Sequence, residues 1–504
     1  MAEASSAHTA LATWLSARLR AQPGQPLGTA LAQALRDGVL QGALAGGQRL
    51  PSTRWLGERL GVARNTIVAV YAQLTDEGVL VAGLGSGTFV SQALPARVPA
   101  SPTEVAPHAT QAPLLSARGQ RYQNHPIHRF WSKEPFCPGG FDASLFPQAL
   151  WNRLLAQSLR QTDAGLLGAG EPGGAPALRI AIAEHIRTSR GVRCEPRQII
   201  ITDGTAQSLE LIARLLCDPG DRVWVENPCY WGASQTLSDL GLQLEPLDVD
   251  DDGLPLPPSR TALRPRLAYL TPSHQFPTGA VMPLARRLQW LAHAREHGLL
   301  LVEDDYDSEY RYTGKPFPSL LGLDNEVDGG EHVLYLGSFS KTMYPGIRVG
   351  FMVVPPTLAE VFGQASADFY RDGDQLVQQG LARFMAEGHY ATHVRALRRE
   401  FGARRQALVA ALHQHLPQLI TPEGPLRLLG GERGVHLTLG LPDAVDDQAL
   451  ALACRAQGVT VVPLSVYCVG NIHCGLVMSF AASPIDQLEA LVARMAPALR
   501  QCLS

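Results

Sequence analysis

The chain has 504 residues, 45% hydrophobic and 18% charged, with a net charge of -3, which excludes both a single small module and a disordered chain. No apolar run approaches the roughly 20 residues of a membrane helix, and the N-terminus lacks a basic, signal-like start, so a cytoplasmic protein is expected. The 8 cysteines form no CxxC pair, which argues for reduced thiols and against a metal site.

In chain order, Leu27, Leu31, Leu35 and Val39 predict an amphipathic helix. Pro51, with Ser52 and Thr53 as N-cap candidates, opens a second helix that Gly61 closes. Ile67, Val70, Tyr71 and Leu74 give the period of a third helix over Ala63 to Glu77, capped by Gly78. The last two helices meet across a tight glycine turn and so read as a helix-turn-helix. Val79 to Val81 and Thr88 to Val90, around GLGSG, read as a hairpin wing. In this layout the second helix of the pair enters the major groove of double-stranded DNA with its first residues on base edges. Arg64, Asn65 and Thr66 stand there, and arginine pairs bidentately with guanine, asparagine with adenine. Arg49, Ser52, Arg54, Ser86 and Thr88 are placed to reach phosphates. On spacing alone, a plain helical hairpin with solvated polar ends fits as well. Residues 1–92 carry a net charge of only +2, which decides nothing.

The stretch ALPARVPASPTEVAPHATQAP lacks helical or strand periodicity, and residues 93–126 are assigned to a semi-rigid Pro/Ala-rich linker. Beyond it, short apolar runs such as RQIIITDG, DRVWVENP and RLAYLTP alternate with amphipathic stretches. That alternation predicts an α/β domain with a mostly parallel sheet over 127–387. A long Arg-rich helix and short strands then predict a smaller α+β lobe over 388–504.

Within the α/β part, ITDGTAQSLELIARLL reads strand, glycine turn, helix, so backbone N–H groups of Thr205, Ala206 and Gln207 form a natural phosphate site. VENPCYWG ends a strand with Tyr230 at its tip, where an aromatic ring could stack on a planar cofactor. The run GLLLVEDDYDSEY places carboxylates at the end of a strand, the edge at which open α/β sheets bind ligands. Asp304 and Tyr306 share one face; Glu303 and Asp305 are the alternatives. Such a carboxylate keeps a pyridine nitrogen protonated, and the tyrosine hydroxyl suits a phenolic oxygen.

Of 43 basic residues, the lysines are Lys133, Lys315 and Lys341, so chemistry that needs a primary amine has three candidates. Lys341 lies in GSFSKTMYPGIRVG beside Ser338, Ser340 and Arg348. Taken alone, the segment also suits a solvated surface lysine. With the others it suits a phosphorylated aldehyde: the amine forms a Schiff base while hydroxyls and guanidinium hold phosphate, and pyridoxal 5'-phosphate is the obvious candidate.

QRLPSTRWLGERLGVARNTIVAVYAQLTDEGVL with GSGTFV resembles the winged helix-turn-helix of GntR-type bacterial regulators over nearly the whole unit. That family's wing usually has a basic residue before its GSG turn, where Gly83 and Leu84 stand here. From Phe130 to Leu503 the chain resembles a fold-type I aminotransferase domain. As a whole it resembles the MocR subfamily of GntR regulators, through GGFDASLFPQALWNRLL, RGVRCEPRQIIITDG, TPSHQFPTG, EDDYDSEYRYTGKPFPSL and LGSFSKTMYPGIRVGF in that order. The resemblance implies a pyridoxal-phosphate-binding effector domain and a head-to-tail homodimer that swaps its DNA-binding units.

Three positions depart from the aminotransferase pattern. The arginine that commonly holds a substrate carboxylate falls at Val477, the asparagine before PTG is Phe276, and a phosphate-contacting tyrosine is Ala169. Phe276 is shared with the regulators, whereas Ala169 departs from them too. Retention of Lys341, Asp304 and Arg348 without the substrate anchor favours sensing over turnover. The expected protein is a transcriptional regulator that senses the cofactor itself, an ω-amino acid or another amine through Lys341. A working aminotransferase tethered by its DNA-binding module is the alternative.

Overall fold

The computed structural model describes residues 2–20, 24–83, 87–92, 115–132, 134–161, 168, 170–257, 264–314, 318–430 and 433–503. Ser86, Lys133, Lys315, Ala169 and most of the assigned linker lie outside them. The chain divides into two compact units, Met1–Leu114 and Leu115–Ser504.

The first unit contains α1 (Ala2–Arg20), α2 (Leu27–Leu40), α3 (Thr53–Leu60), α4 (Arg64–Asp76) and the antiparallel pair β1 (Leu80–Gly83) and β2 (Gly87–Val90). Ser52 caps α3 by accepting a hydrogen bond from the Trp55 amide at 3.3 Å. Gly61 ends the helix at φ +68°, a conformation that L side chains rarely adopt. The turn to α4 is tight: a Cβ on Gly57 would stand 2.8 Å from the Val62 carbonyl oxygen. Leu31, Leu35, Leu56, Ile67 and Leu74 form the core with Leu11 and Leu15 of α1, a helix that the sequence reading did not anticipate. Its apolar contribution is short and its remaining composition is Ala-rich and polar, so little periodicity marks it.

In the second unit, β3 (Ile199–Thr202), β4 (Arg222–Asn227), β5 (Gln243–Asp248), β6 (Leu267–Leu270), β7 (Leu300–Asp305), β8 (Val333–Ser338) and β9 (Gly350–Val353) form one seven-stranded sheet. Its order is β3-β9-β8-β7-β6-β4-β5, and β9 runs antiparallel to both neighbours while β4 to β8 are mutually parallel. The parallel strands are nearly continuous apolar runs because helices bury both faces, with Leu301 and Trp290 in one layer and Val302 and Leu209 in the other. After β5 the chain returns to the other side of β4 to lay down β6. That reversal opens a crevice at the carboxyl ends of the strands.

The smaller lobe has a four-stranded antiparallel sheet of β10 (Arg427–Leu429), β11 (His436–Gly440), β12 (Val462–Pro463) and β13 (Gly475–Ser479), in the order β10-β11-β13-β12. The long helices His389–His415 and Ile485–Leu503 bury apolar side chains in the same core. Two segments differ from the boundaries drawn on the sequence. Ile127, Phe130, Phe136 and Cys137 pack into the smaller lobe's core, and the Phe136 carbonyl accepts from the Ser479 amide at 2.8 Å, so this stretch does not belong with the larger lobe. Its apolar side chains complete a sheet face formed three hundred residues later in roughly linear chain order, a pairing no local pattern reveals. Ala117–Gln123, within the span assigned to the linker, is helical and capped by Ser116. No described helix is long and apolar enough to cross a membrane.

Candidate functional site

A cavity of about 290 Å³ lies at the carboxyl ends of β4, β6, β7 and β8 and is closed on one side by the smaller lobe. Asp304, Tyr306, Thr205, Tyr230, Ser338, Ser340, Lys341 and Arg348 all line it, so eight residues singled out on four sequence segments converge.

The acidic end of β7 sorts itself by hydrogen bonding. Glu303 accepts from the Leu320 and Leu321 amides at 2.9 and 3.0 Å and lies near Arg287, a buried structural role. Asp305 meets Arg190 and the Tyr335 hydroxyl, each at 2.6 Å. Asp304 alone of the three faces the cavity. Its Oδ2 accepts from the Tyr269 hydroxyl at 2.7 Å, while Oδ1 is buried with no protein partner. Burial pushes its carboxyl up to about 7, because charge without solvent or a cation is disfavoured there. A cationic ring N–H would supply what Oδ1 lacks.

Lys341 follows β8 and is the one lysine among the described residues. Burial pulls its ammonium below the ordinary value, with Asp307 opposing that pull, so an amine held here is readily made nucleophilic. Ser338 and Ser340 share a hydrogen bond of 2.8 Å beside it. Arg348 takes a left-handed φ of +49°, a strained backbone for an L residue, and its guanidinium lies near the start of helix Thr205–Leu216. A Cβ on Gly204 would stand 3.9 Å from an Arg348 guanidinium nitrogen, and one on Gly350 would meet Gly204 Cα at 2.7 Å. Glycines therefore let the strand and the helix N-terminus close up around an anion site. Thr205 reaches the cavity, whereas the Gln207 side chain turns back to accept from the Asp203 amide; Ala206 is exposed. Together the free Asp304 oxygen, the amine and the cationic helix terminus fit a phosphorylated pyridine aldehyde.

The opposite wall is aromatic. Phe276 packs edge-on to Tyr230 at 5.7 Å and to Tyr467 at 5.2 Å, in place of an asparagine that would have reached a phenolic oxygen. Tyr306 instead spends its hydroxyl on the His274 carbonyl, 3.0 Å away, and lies 3.1 Å from His274 Nδ1, which in turn meets Asp307 at 3.0 Å. Trp131, Trp231, His436, Tyr467 and Ser479 also line the cavity, and the sequence reading missed them all. Trp131 comes from a loop and His436, Tyr467 and Ser479 from the smaller lobe, with no local motif to mark them, whereas Trp231 stands next to Tyr230 in VENPCYWG, at the start of the helix Trp231–Asp239. Val477 is fully buried in β13 opposite Thr438 and brings no charge to this wall.

In the first unit, Arg64 and Asn65 are exposed on the first turn of α4, with Val68 exposed one turn on. Thr66 is half-buried, its methyl 3.4 Å from where a Gly28 Cβ would stand. Arg54 is exposed and paired with Glu58 at 3.1 Å. Arg49 lies against the start of β2, its guanidinium 3.1 Å from the Cβ position of Gly87, and Thr88 is half-buried in that strand. Ser52 uses its oxygen as the α3 cap and keeps its hydroxyl hydrogen.

The model of the family described as aminotransferase class I and II matches residues 147–495, and that of bacterial regulatory proteins of the gntR family matches residues 27–90. The chain is 39% identical to a probable rhizopine catabolism regulatory protein, MocR, of Rhizobium meliloti, over 87% of each chain. It is 30% identical to the pyridoxine biosynthesis transcriptional regulator PdxR of Corynebacterium glutamicum, over 94% of this chain and 95% of that one. Among solved structures, it resembles the α-aminoadipate aminotransferase LysN of Thermus thermophilus, complexed with N-(5'-phosphopyridoxyl)-L-leucine. The TM-score is 0.69 at 29% identity, covering 77% of this chain and 98% of that one.

Proposed function

The chain belongs to the gntR-type regulators that carry an aminotransferase class I and II domain, and from that premise we propose a DNA-binding transcriptional regulator whose larger unit holds pyridoxal 5'-phosphate and responds to an amino compound. The observation that carries this reading is the buried, unpartnered Asp304 oxygen in the same cavity as Lys341. Asp304 would hold the ring nitrogen, Arg348 and the helix start at Thr205 the phosphate, Tyr230 the ring face, and Lys341 the aldehyde carbon. When bound, the cofactor supplies an aldehyde that condenses with primary amines, so an incoming amine competes with Lys341 for one carbon, with water balanced and no oxidant needed. Asp307, the neighbouring carboxylate, would favour a proton on Lys341 Nζ whenever that amine is free.

The output is DNA binding. Arg64 and Asn65 contact bases of a double-stranded operator while Arg49, Arg54 and Ser52 hold phosphates. Two such units, joined in a head-to-tail homodimer, would read paired half-sites, and amine capture at Lys341 shifts their affinity by a coupling of about 1 to 3 kcal/mol. Turnover as an aminotransferase is the second reading, favoured by the preserved Asp304, Lys341 and Arg348 and opposed by the uncharged Val477.

The test is the visible spectrum of purified wild type and Lys341→Ala with added pyridoxal phosphate, followed by borohydride reduction and peptide mass analysis. A band in wild type alone, with the pyridoxyl label on Lys341, supports the reading; no band in either overturns it. Sustained product formation from an amino donor and a keto acceptor would replace sensor by enzyme.

A further inference from the structure

The ligand side of the cavity has a hydrogen-bonding character of its own. Tyr467 is 2% exposed, lines the cavity, and its hydroxyl has no protein partner. The indole Nε1 of Trp231, another lining residue, is likewise buried without one. Buried donors left unpaired cost free energy, and native proteins rarely leave them so unless a ligand or water completes them. His436 lines the same cavity, and its Nε2–H donates to the Pro277 carbonyl at 3.1 Å, so its remaining nitrogen can only accept. Burial and the neighbouring His274 hold that imidazole neutral, with its protonation well below the ordinary range.

Charge is distributed the other way. Among the described residues lining the cavity, the cations are Lys341 and Arg348, both committed to the cofactor. Val477, fully buried two residues before the lining Ser479 and on the same face of β13, adds no cation on that side. A carboxylate brought against Phe276, Trp231 and Tyr467 would lose its water and gain no counter-charge, an arrangement that buried charges avoid. A hydroxyl meets no such obstacle: it accepts from Tyr467 or Trp231 and donates to His436.

We propose that the amine sensed at Lys341 carries hydroxyl groups on an uncharged body and no carboxylate, with Tyr467, Trp231 and His436 as its specificity determinants. This rests on the cofactor reading above. It makes the ligand an amino alcohol or a polyhydroxylated amine rather than an amino acid.

The experiment titrates the pyridoxal-phosphate-loaded full-length protein with 2-aminocyclohexanol, cyclohexylamine and 4-aminobutyrate, following the cofactor's absorption band. The expected result is half-saturation by 2-aminocyclohexanol at a concentration at least tenfold below either of the others. Tyr467→Phe, which keeps the ring, is expected to bring the amino alcohol to within about threefold of cyclohexylamine, and Trp231→Phe provides the same comparison should the first variant fold poorly. A band that responds to 4-aminobutyrate at an equal or lower concentration overturns the inference and leaves the cofactor reading intact. Equal responses to the amino alcohol and cyclohexylamine overturn it too. If no cofactor band forms at all, the underlying reading fails, and this one with it.

Discussion

The Tyr269 hydroxyl donates to Asp304 Oδ2 at 2.7 Å, from one parallel strand to the next, and leaves Oδ1 of this cavity-lining residue buried without a protein partner. The tyrosine lowers the cost of a charge that burial opposes, without removing it. An acid so placed is unstable when ionised and alone, and settled when a cation lies against Oδ1.

Asp304 therefore links stability to pH in the cofactor-free protein. Its folded value of about 7 lies above that of a free aspartate, so its contribution favours the folded state fully below about pH 4 and is lost as pH rises through 7. Asp304→Asn removes the charge and keeps the shape. Thermal melts of the cofactor-free proteins should show the variant more stable than wild type at pH 8, on the order of 2 kcal/mol, and nearly equal to it at pH 4.5. A variant less stable at pH 8 would mean that Asp304 ionises without strain.

Arg348 combines a left-handed backbone, φ +49°, with a guanidinium beside Gly204 at the start of the helix Thr205–Leu216. Arg348→Ala should weaken binding of pyridoxal phosphate by about 10- to 100-fold, the loss of a charge-assisted pair worth roughly 1.5 to 3 kcal/mol. Pyridoxal, which lacks the phosphate, should bind wild type and variant alike. Spectral titration with both compounds separates an anion contact from general damage to the pocket.

On DNA, Arg64→Ala and Asn65→Ala should each cost about 1 to 3 kcal/mol on the specific operator and relax preference at one base position. Arg49→Ala should weaken binding to all sequences alike and reduce the salt slope by about one. Fluorescence anisotropy on operator and scrambled duplexes at several salt concentrations checks both. Thr66, half-buried toward α2, should affect folding of the unit more than base choice.

The helix α1 makes a separate claim. Leu15 is fully buried in the core of the first unit, so Leu15→Ala should destabilise that unit by about 2 to 5 kcal/mol. Hydrogen exchange on the full-length chain should show faster exchange in peptides from α2 to α4 and unchanged protection in the seven-stranded sheet. Unchanged exchange in both would place α1 outside the unit's stabilising core.

Much of this molecule was written locally. Helix period, glycine stops and the Ser52 cap determined the helix-turn-helix, because each acts over four residues or fewer. Alternating apolar strands and amphipathic helices determined the α/β class, and the scarcity of lysine left three candidates for a reactive amine, of which Lys341 stood out by Ser338, Ser340 and Arg348 beside it. The tertiary structure decided what depends on which strand ends meet. It separated Asp304 from Glu303 and Asp305, since only packing against Tyr269, Arg287 and Arg190 tells the three carboxylates apart. It drew Ile127, Phe130, Phe136 and Cys137 into the smaller lobe. It also brought His436 and Tyr467 to one wall with Trp231, which lies more than two hundred residues before either in chain order, a juxtaposition fixed by sheet order and lobe packing, which no sequence window spans.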